Sequence, residues 1–449
     1  MKSNRVWKRA AVIGAGIGGL SAAAALSPYF PEVVLLERDA LPAGVRSRPG
    51  VAQDRHPHLW LSAGLQALES LLPGIERDLL QTGAVSVNSF QDVRYERPDV
   101  GALPMRDCGL TILCATRPLV EQLLRRRVAS MHNVTLRPSC RVTEITTDAI
   151  KRTIKFEIEG GEFGALNADL VVDASGRAVP TLTLLDSLGW ARPVETAVGV
   201  DISYTTFVMS QLPANSCESK FIVTLPDPLV SSQAALIMPI EDGRYFVGIA
   251  EHGATERPKT WKEFLSALRQ LHTTTIYNEV CDLQPIDGPR HFVFDESRWR
   301  HFELLDRLPR GVLPIGDSIC RFNPIYGQGQ SVAALQAQLL GDTLGSVAEE
   351  VEPIEALQSR FMADTARLLE TPWNLGVNAD FAFPSTRGQR PEGYEEGRQF
   401  EANLFRAVVA DPIVQRAFAN VMHLTEGFGS LHDPDIRQRI EAHAIPETM

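Results

Sequence analysis

Residues 9–38 read RAAVIGAGIGGLSAAAALSPYFPEVVLLER, and this stretch decides the fold. The apolar run Ala10–Ile13 predicts a buried parallel strand. It ends in Gly14-Ala15-Gly16-Ile17-Gly18-Gly19, a complete G-x-G-x-x-G. The alanine-rich run Leu20–Leu26 predicts a helix packed close to a sheet. A second apolar run, Val33–Leu36, ends in Glu37 and Arg38. Strand, glycines, helix, strand and acid thus occur in order within about 30 residues, as a dinucleotide-binding unit requires. Gly14 permits the tight turn, Gly16 lets the backbone approach a pyrophosphate, and Gly19 lets helix and strand touch. The phosphates are expected at the helix start around Ile17 and Gly18, where free N–H groups and the dipole favour anions. Glu37 can accept hydrogen bonds from a ribose with free hydroxyls, as in FAD or NAD, rather than one carrying a 2′-phosphate.

The basic residues Lys2, Arg5, Lys8 and Arg9 before an apolar run also resemble the start of a secretory signal. The glycines at 14, 16, 18 and 19 suit a phosphate loop better than a signal core. At 449 residues the chain suggests two or three domains. Its 44% hydrophobic and 22% charged residues are those of an ordinary globular protein. A net charge of −11 argues against a nucleic-acid partner. No uninterrupted apolar stretch is long enough to span a bilayer, so no integral membrane segment is expected. The cysteines at 108, 114, 140, 217, 281 and 320 are scattered without C-x-x-C or zinc spacing. They read as reduced thiols of a cytoplasmic protein.

Residues 40–60, ALPAGVRSRPGVAQDRHPHLW, form a long loop, which is uncommon unless functional. Arg46, Arg48 and Arg55 can meet phosphates, and Gln53, His56 and His58 can hydrogen-bond a ring system. His56 and His58 lack a further ligand cluster, so no metal is expected. Leu61, Leu65, Leu68 and Leu72 repeat at helical spacing and read as core. Residues 110–130 predict a strand and then a helix, with Pro118 in the first turn. Arg117, just before it, can reach a cofactor cleft, while Arg125-Arg126-Arg127 read as a solvated face. Val134–Leu136 and Arg141–Ile145 read as strands of the same layer, with the Val142 backbone beside an adenine edge. Leu170–Val172 read as a third buried strand. It delivers Asp173 and Gly176 to the carboxyl end of the sheet, where ligands of open parallel sheets bind.

Between 185 and 300 the chain changes character. Val198–Thr206, Lys220–Leu225, Ala234–Ile240 and Arg244–Ala250 have strand composition. Glu241-Asp242-Gly243 is a hairpin turn signal, and a helix is expected near Trp261–Leu271. Residues 311–345 return to the first pattern. The strand Val312–Ile315 ends in Gly316-Asp317, and a loop with Asn323, Pro324 and Tyr326 leads to Gly327-Gln328-Gly329-Gln330. The helix Ser331–Leu344 follows. This second glycine-rich helix start implies two anionic or electron-rich parts to bind, which suits a flavin better than a nicotinamide. Ile354, Leu357, Phe361 and Leu368 begin a helical tail. Trp373–Pro384 reads as a loop, and Tyr394–Leu424 as helix broken at Asp411-Pro412.

These pieces match a family. G-A-G-I-G-G with Glu37, A-D-L-V-V-D-A-S-G-R at 168–177, and G-D at 316–317 with N-P-I-Y-G-Q-G at 323–329 resemble FAD-dependent monooxygenases of the para-hydroxybenzoate hydroxylase type. The loop G-V-A-Q-D-R-H-P-H at 50–58, M-P-I-E-D-G-R at 238–244 and P-W-N-L at 372–375 look most like the branch with the polyether ionophore epoxidases. The resemblance implies an α/β fold. A Rossmann-like FAD-binding domain (1–184 and 301–349) carries an inserted, mainly antiparallel substrate domain (185–300) and a helical C-terminal region (350–449). It implies that Glu37 holds the adenosine ribose, Arg117 the diphosphate or ribityl region, and Asp317 a ribityl hydroxyl. The 327–330 helix start would face the flavin pyrimidine ring.

The implied reaction passes one oxygen atom of molecular oxygen, through a flavin hydroperoxide, to a largely apolar small molecule in secondary metabolism. NADH, NADPH or a partner flavin reductase supplies the electrons. No acid–base residue is implied. Two departures matter. Ser318-Ile319-Cys320-Arg321 stand where the family often has a histidine, and the W-x-W-x-I-P signature of flavin halogenases is absent. The alternative is an FAD-dependent reductase or dehydrogenase acting on a carbon–carbon bond, similar to prenyl reductases.

Overall fold

The computed structural model describes residues 7–148, 151–210, 219–228, 230–253 and 256–444. Residues 9–38 form the strand Arg9–Ile13, the helix Ile17–Leu26 and the strand Glu32–Leu36. Arg9–Ile13 is the centre of a five-stranded parallel sheet. Leu170–Asp173 and Glu32–Leu36 flank it, and Val312–Pro314 and Val134–Arg137 form the edges. Ile13 lies opposite both Leu36 and Asp173, so the chain leaves all three strands at one end of the sheet. The central strands are buried on both faces, which is why their sequences are unbroken apolar runs. The alanine-rich helix lies against a second helix, Gly329–Val347, where a Cβ at Gly341 would sit 3.6 Å from that of Ala25. Bulkier residues on either helix would push this contact apart.

A second sheet of eight strands stands over that end. In spatial order it holds Cys320–Arg321, Asp287–His301, Val194–Met209, Tyr245–His252, Gln233–Pro239, Phe221–Thr224, Val93–Arg97 and Gly101–Ala102. It is antiparallel except where Phe221–Thr224 runs parallel to Val93–Arg97. The stretch expected as an insertion supplies the middle, while 93–102 and 320–321 close the two edges. The Glu241–Gly243 turn joins two of the strands, with Asp242 and Gly243 at φ 63° and 67°. The buried Glu241 carboxylate accepts the Thr116 N–H (2.9 Å) and hydroxyl (2.6 Å). It ties this sheet to the loop before the helix Arg117–Ala129.

Three expectations are corrected. Arg141–Ile145 does not join the parallel layer. Its strand, Cys140–Thr147, pairs antiparallel with Arg152–Ile158, and with Glu162–Ala168 they form a separate sheet. It is buried on one face only, a pattern of antiparallel sheets. Arg125 is not solvated: it is buried 3.5 Å from Glu121. The loop expected from Trp373 begins only at Phe381, because the helix Pro353–Asp380 continues through Pro372. Leu369, Trp373 and Val377 are buried at four-residue spacing, and their packing outweighs the cost of an internal proline.

The break at Asp411-Pro412 separates helices Tyr394–Ala410 and Pro412–Met422, and the Asp411 carboxylate accepts the Ile413 N–H at 2.8 Å. The five described cysteines are free, and Cys217 lies outside the described residues. Among the described residues no helix is long and apolar enough to cross a membrane.

Candidate cofactor and substrate site

The site forms where the carboxyl ends of the parallel strands face the eight-stranded sheet. Gly14 has φ +100°, and a Cβ there would lie 2.6 Å from the Ala174 carbonyl oxygen. A Cβ at Gly19 would lie 1.8 Å from the Gly14 oxygen. Both glycines are demanded by the protein's own backbone. Gly16 differs. The nearest atoms to its imagined Cβ are guanidinium nitrogens of Arg117 and Arg48, at 3.8 and 3.9 Å. The helix start therefore opens on positive charge, the surroundings a pyrophosphate needs.

Those arginines are held by an acid that the sequence reading did not identify. Glu121 accepts Arg48 Nε at 2.9 Å and Arg117 Nε at 2.8 Å. Arg48 also reaches Asp39 at 2.8 Å and Glu37 at 3.3 Å. Burial opposes charge on Arg48, but Glu121 and Glu37 outweigh it and raise its proton affinity. Burial likewise pushes Glu121 up, and Arg117 and Arg48 more than reverse this. Both groups stay ionised. The signal was present in the sequence: Glu121 follows Arg117 by four residues on one helix face. Arg46 and Arg55 are exposed and take no part.

Glu37 accepts the Ala15 N–H at 2.6 Å and the Asp39 N–H at 3.0 Å. A carboxylate offers about four lone-pair sites, so it retains room for a further donor. Arg38 stands exposed at the cleft edge, and Val142 faces the cleft from the separate antiparallel sheet. Gly176 lines the cleft too, and its N–H donates to Ser318 Oγ at 3.1 Å. Asp173 does not line it. Its carboxylate accepts the N–H groups of Ser175 (3.0 Å) and Thr181 (3.1 Å) and the Thr181 hydroxyl (2.6 Å). It shapes the turn.

Asp317 follows Gly316, which has φ +65°. Its carboxylate takes no hydrogen bond from the described residues. Burial raises its pKa against the opposing pull of Arg321, Arg117 and Arg300. The Pro324–Tyr326 turn then brings Gly327, at φ +66°, to the second helix start. A Cβ at Gly329 would meet nothing within 4 Å. The Oε1 atoms of Gln328 and Gln330 are buried without partners, although Gln330 Nε2 donates to the Leu59 carbonyl at 2.6 Å. Two orphaned acceptors beside an open helix start fit a ligand that brings N–H donors, as a flavin pyrimidine does.

On the opposite wall His56 Nδ1 pairs with Thr206 Oγ1 at 2.8 Å, and burial pushes its pKa down to about 4. His58 Nδ1 pairs with the His56 carbonyl at 2.8 Å; burial and Arg117 push it down to about 3. Both imidazoles are neutral and tied to protein atoms. Gln53 lines the same wall. A further cluster was not legible in the sequence. Asp380 accepts Asn323 Nδ2 at 2.9 Å and the Tyr326 hydroxyl at 2.7 Å. The Tyr204 hydroxyl donates to Asn323 Oδ1 at 3.2 Å. Burial pushes Asp380 up to about 7 against these hydrogen bonds. Of the expected cleft residues, all but Gly19, Asp173, Arg46 and Arg55 line one cavity of about 1610 Å³. The open Gly16 and Gly329, the arginine pair and the orphaned glutamine oxygens fit FAD.

The NAD(P)-binding Rossmann-like domain family matches residues 12–72. Protein Rv3254 of Mycobacterium tuberculosis is 29% identical over 451 residues, covering 97% of this chain and 94% of that protein. A p-nitrophenol 4-monooxygenase from Pseudomonas putida shares the fold with TM-score 0.62 at 17% identity, over 94% of this chain and 99% of that one. A flavoprotein/dehydrogenase from Cytophaga hutchinsonii does so with TM-score 0.67 at 15% identity, over 96% of each. The architecture is thus that of FAD monooxygenase folds.

Proposed function

We propose that this chain is an FAD-dependent monooxygenase. It passes one oxygen atom from molecular oxygen to a largely apolar small molecule, by epoxidation or hydroxylation. The observation that carries the reading is the convergence of two open glycine-bearing helix starts on one roofed cavity. Glu37 would hold the adenosine ribose, Arg117 and Arg48 the diphosphate, and Asp317 a ribityl hydroxyl. Gly327–Gln330 would meet the pyrimidine edge. When bound, FAD supplies the oxygen chemistry. The chain's residues bind, orient and keep water out: Gly248, Ala250, Leu236 and Phe292 present an apolar roof. No acid or base is assigned.

The likeness to the p-nitrophenol monooxygenase supports oxygen transfer. The sequence motifs at 50–58 and 372–375 support the polyether epoxidase-like branch and a role in secondary metabolism. NADH or NADPH, directly or through a flavin reductase, would supply electrons. The free thiols suit a cytoplasmic setting. The second reading, an FAD-dependent reductase or dehydrogenase acting on a carbon–carbon bond, draws support from the Cytophaga flavoprotein/dehydrogenase. Oxygen uptake and product mass separate them. Oxygen consumption with a product one oxygen atom heavier is expected. A product differing by two hydrogens, without oxygen uptake, would replace the first reading with the second.

A further inference from the structure

The end of the helix Pro353–Asp380 reaches the turn that precedes the second helix start, and it holds that turn at both ends. Tyr326 is the last residue of the turn Pro324–Tyr326. Its ring lies against Gly376, where a Cβ would sit 3.2 Å away. Its hydroxyl donates to Asp380 Oδ1 at 2.7 Å. Positions 376 and 380 are four apart and share one helix face. A glycine inside a helix weakens it, and here the missing side chain is the space that the ring occupies.

The same oxygen holds the residue that caps the turn. Asn323 Nδ2 donates to Asp380 Oδ1 at 2.9 Å. Asn323 Oδ1 in turn accepts the Ile325 N–H at 3.2 Å and the Tyr204 hydroxyl at 3.2 Å. Gly327 then leaves the turn for the helix Gly329–Val347. Pro324, Ile325, Tyr326 and Gly327 line the cavity, while Asn323 and Asp380 stand behind them. Packing alone does not call for a carboxyl group there. Asp380 is fully buried, Oδ2 meets no partner, and no cation among the described residues pairs with it. It also ends a helix, where the dipole disfavours an anion. A carboxyl so placed costs stability, and what it secures is the geometry of the turn.

We propose that Asp380 is a positioning residue for the cofactor site: through Asn323 and Tyr326 it fixes the turn that presents Gly327–Gln330 to the flavin ring. This deepens the oxygenase reading and rests on its placement of FAD at that helix start. Asp380 does not line the cavity and acts only through those two residues.

The test uses the full chain, freed of flavin by dialysis and titrated with FAD by fluorescence. A wild type that binds no FAD would sink the oxygenase reading and this proposal with it. Asp380→Ala removes both hydrogen bonds and should weaken FAD binding about tenfold. Asp380→Asn keeps an oxygen that accepts from both partners, and should bind FAD within about twofold of wild type. Hydrogen exchange over residues 323–330 should quicken in the alanine variant and not in the asparagine one. Should Asp380→Ala not fold, Tyr326→Phe keeps the ring against Gly376 and drops the hydroxyl alone, and should weaken FAD binding about threefold. Wild-type FAD affinity in folded Asp380→Ala, or in Tyr326→Phe, would overturn the proposal and leave the oxygenase reading standing. An asparagine variant as weak as the alanine one would overturn it too, because the held turn would then not be what the cofactor needs.

Discussion

The two glycine-rich helix starts look alike in sequence and differ in what requires them. At the first, Gly14 and Gly19 leave no space for a Cβ against the protein's own carbonyls, at 2.6 and 1.8 Å. At the second, Gly329 has no protein atom within 4 Å of its imagined Cβ. In the first loop Gly14 and Gly19 are demanded by the fold, whereas Gly16 is open. The second is small at a position where the fold would tolerate bulk, so its smallness points to a guest. A side chain at 329 would project into open space at the helix start.

Substitutions separate these two kinds of glycine. Gly19→Ala carries the largest expected effect. Its methyl group collides with backbone, so stability should fall by about 3 kcal/mol or more, the upper end for overpacking. Denaturant unfolding measures it, and a variant of normal stability would deny that the first loop is fold-determined. Asp317→Ala comes next. A charged hydrogen bond contributes about 1.5–3 kcal/mol, so FAD should bind about ten- to hundredfold more weakly in a protein of unchanged fold. Fluorescence titration of the apoprotein reads this, and equal affinity would place Asp317 away from the cofactor.

Gly329→Val should leave apoprotein stability within about 0.5 kcal/mol, as for other unpacked positions. It should weaken FAD binding about tenfold, or about 1.4 kcal/mol. A fall in apoprotein stability with FAD affinity intact would erase the contrast between the loops.

The smallest effect concerns pH. Asp380 is raised in the folded protein to about 7, so its contribution is full in acid and is lost as pH rises through 7. Asp380 alone should lower stability by about 1.4 kcal/mol between pH 6 and 8, read as the difference between wild type and Asp380→Asn across that range. Buried histidines act on the other side. His56, His252 and His423 are each held down to about 4 by burial. Their contribution is present above the unfolded value near 6.5 and fades as pH falls toward 4. A wild-type stability curve flat from pH 4 to 8 would contradict both assignments.

The legible part of this protein is its local part. The βαβ unit at 9–38 shows in the sequence because its glycines, apolar runs and acid are chain neighbours. The Asp380 cluster does not, because Tyr204, Asn323 and Asp380 come from three distant elements. Asp173 misled for a related reason: a strand-end acid looks the same whether it binds a ligand or, as here, caps Thr181. Trp373 shows the reverse error, where proline at 372 masked an apolar stripe that carries the helix to Asp380.

The central claim is that one FAD molecule spans both helix starts, with its adenosine at Glu37 and its ring at Gly327–Gln330. Chromatography of the small molecules released when the purified protein is denatured tests it most directly. The account predicts FAD in about equimolar amount, since an acid poised for an adenosine ribose has no use for FMN. Release of FMN or NAD alone would contradict it.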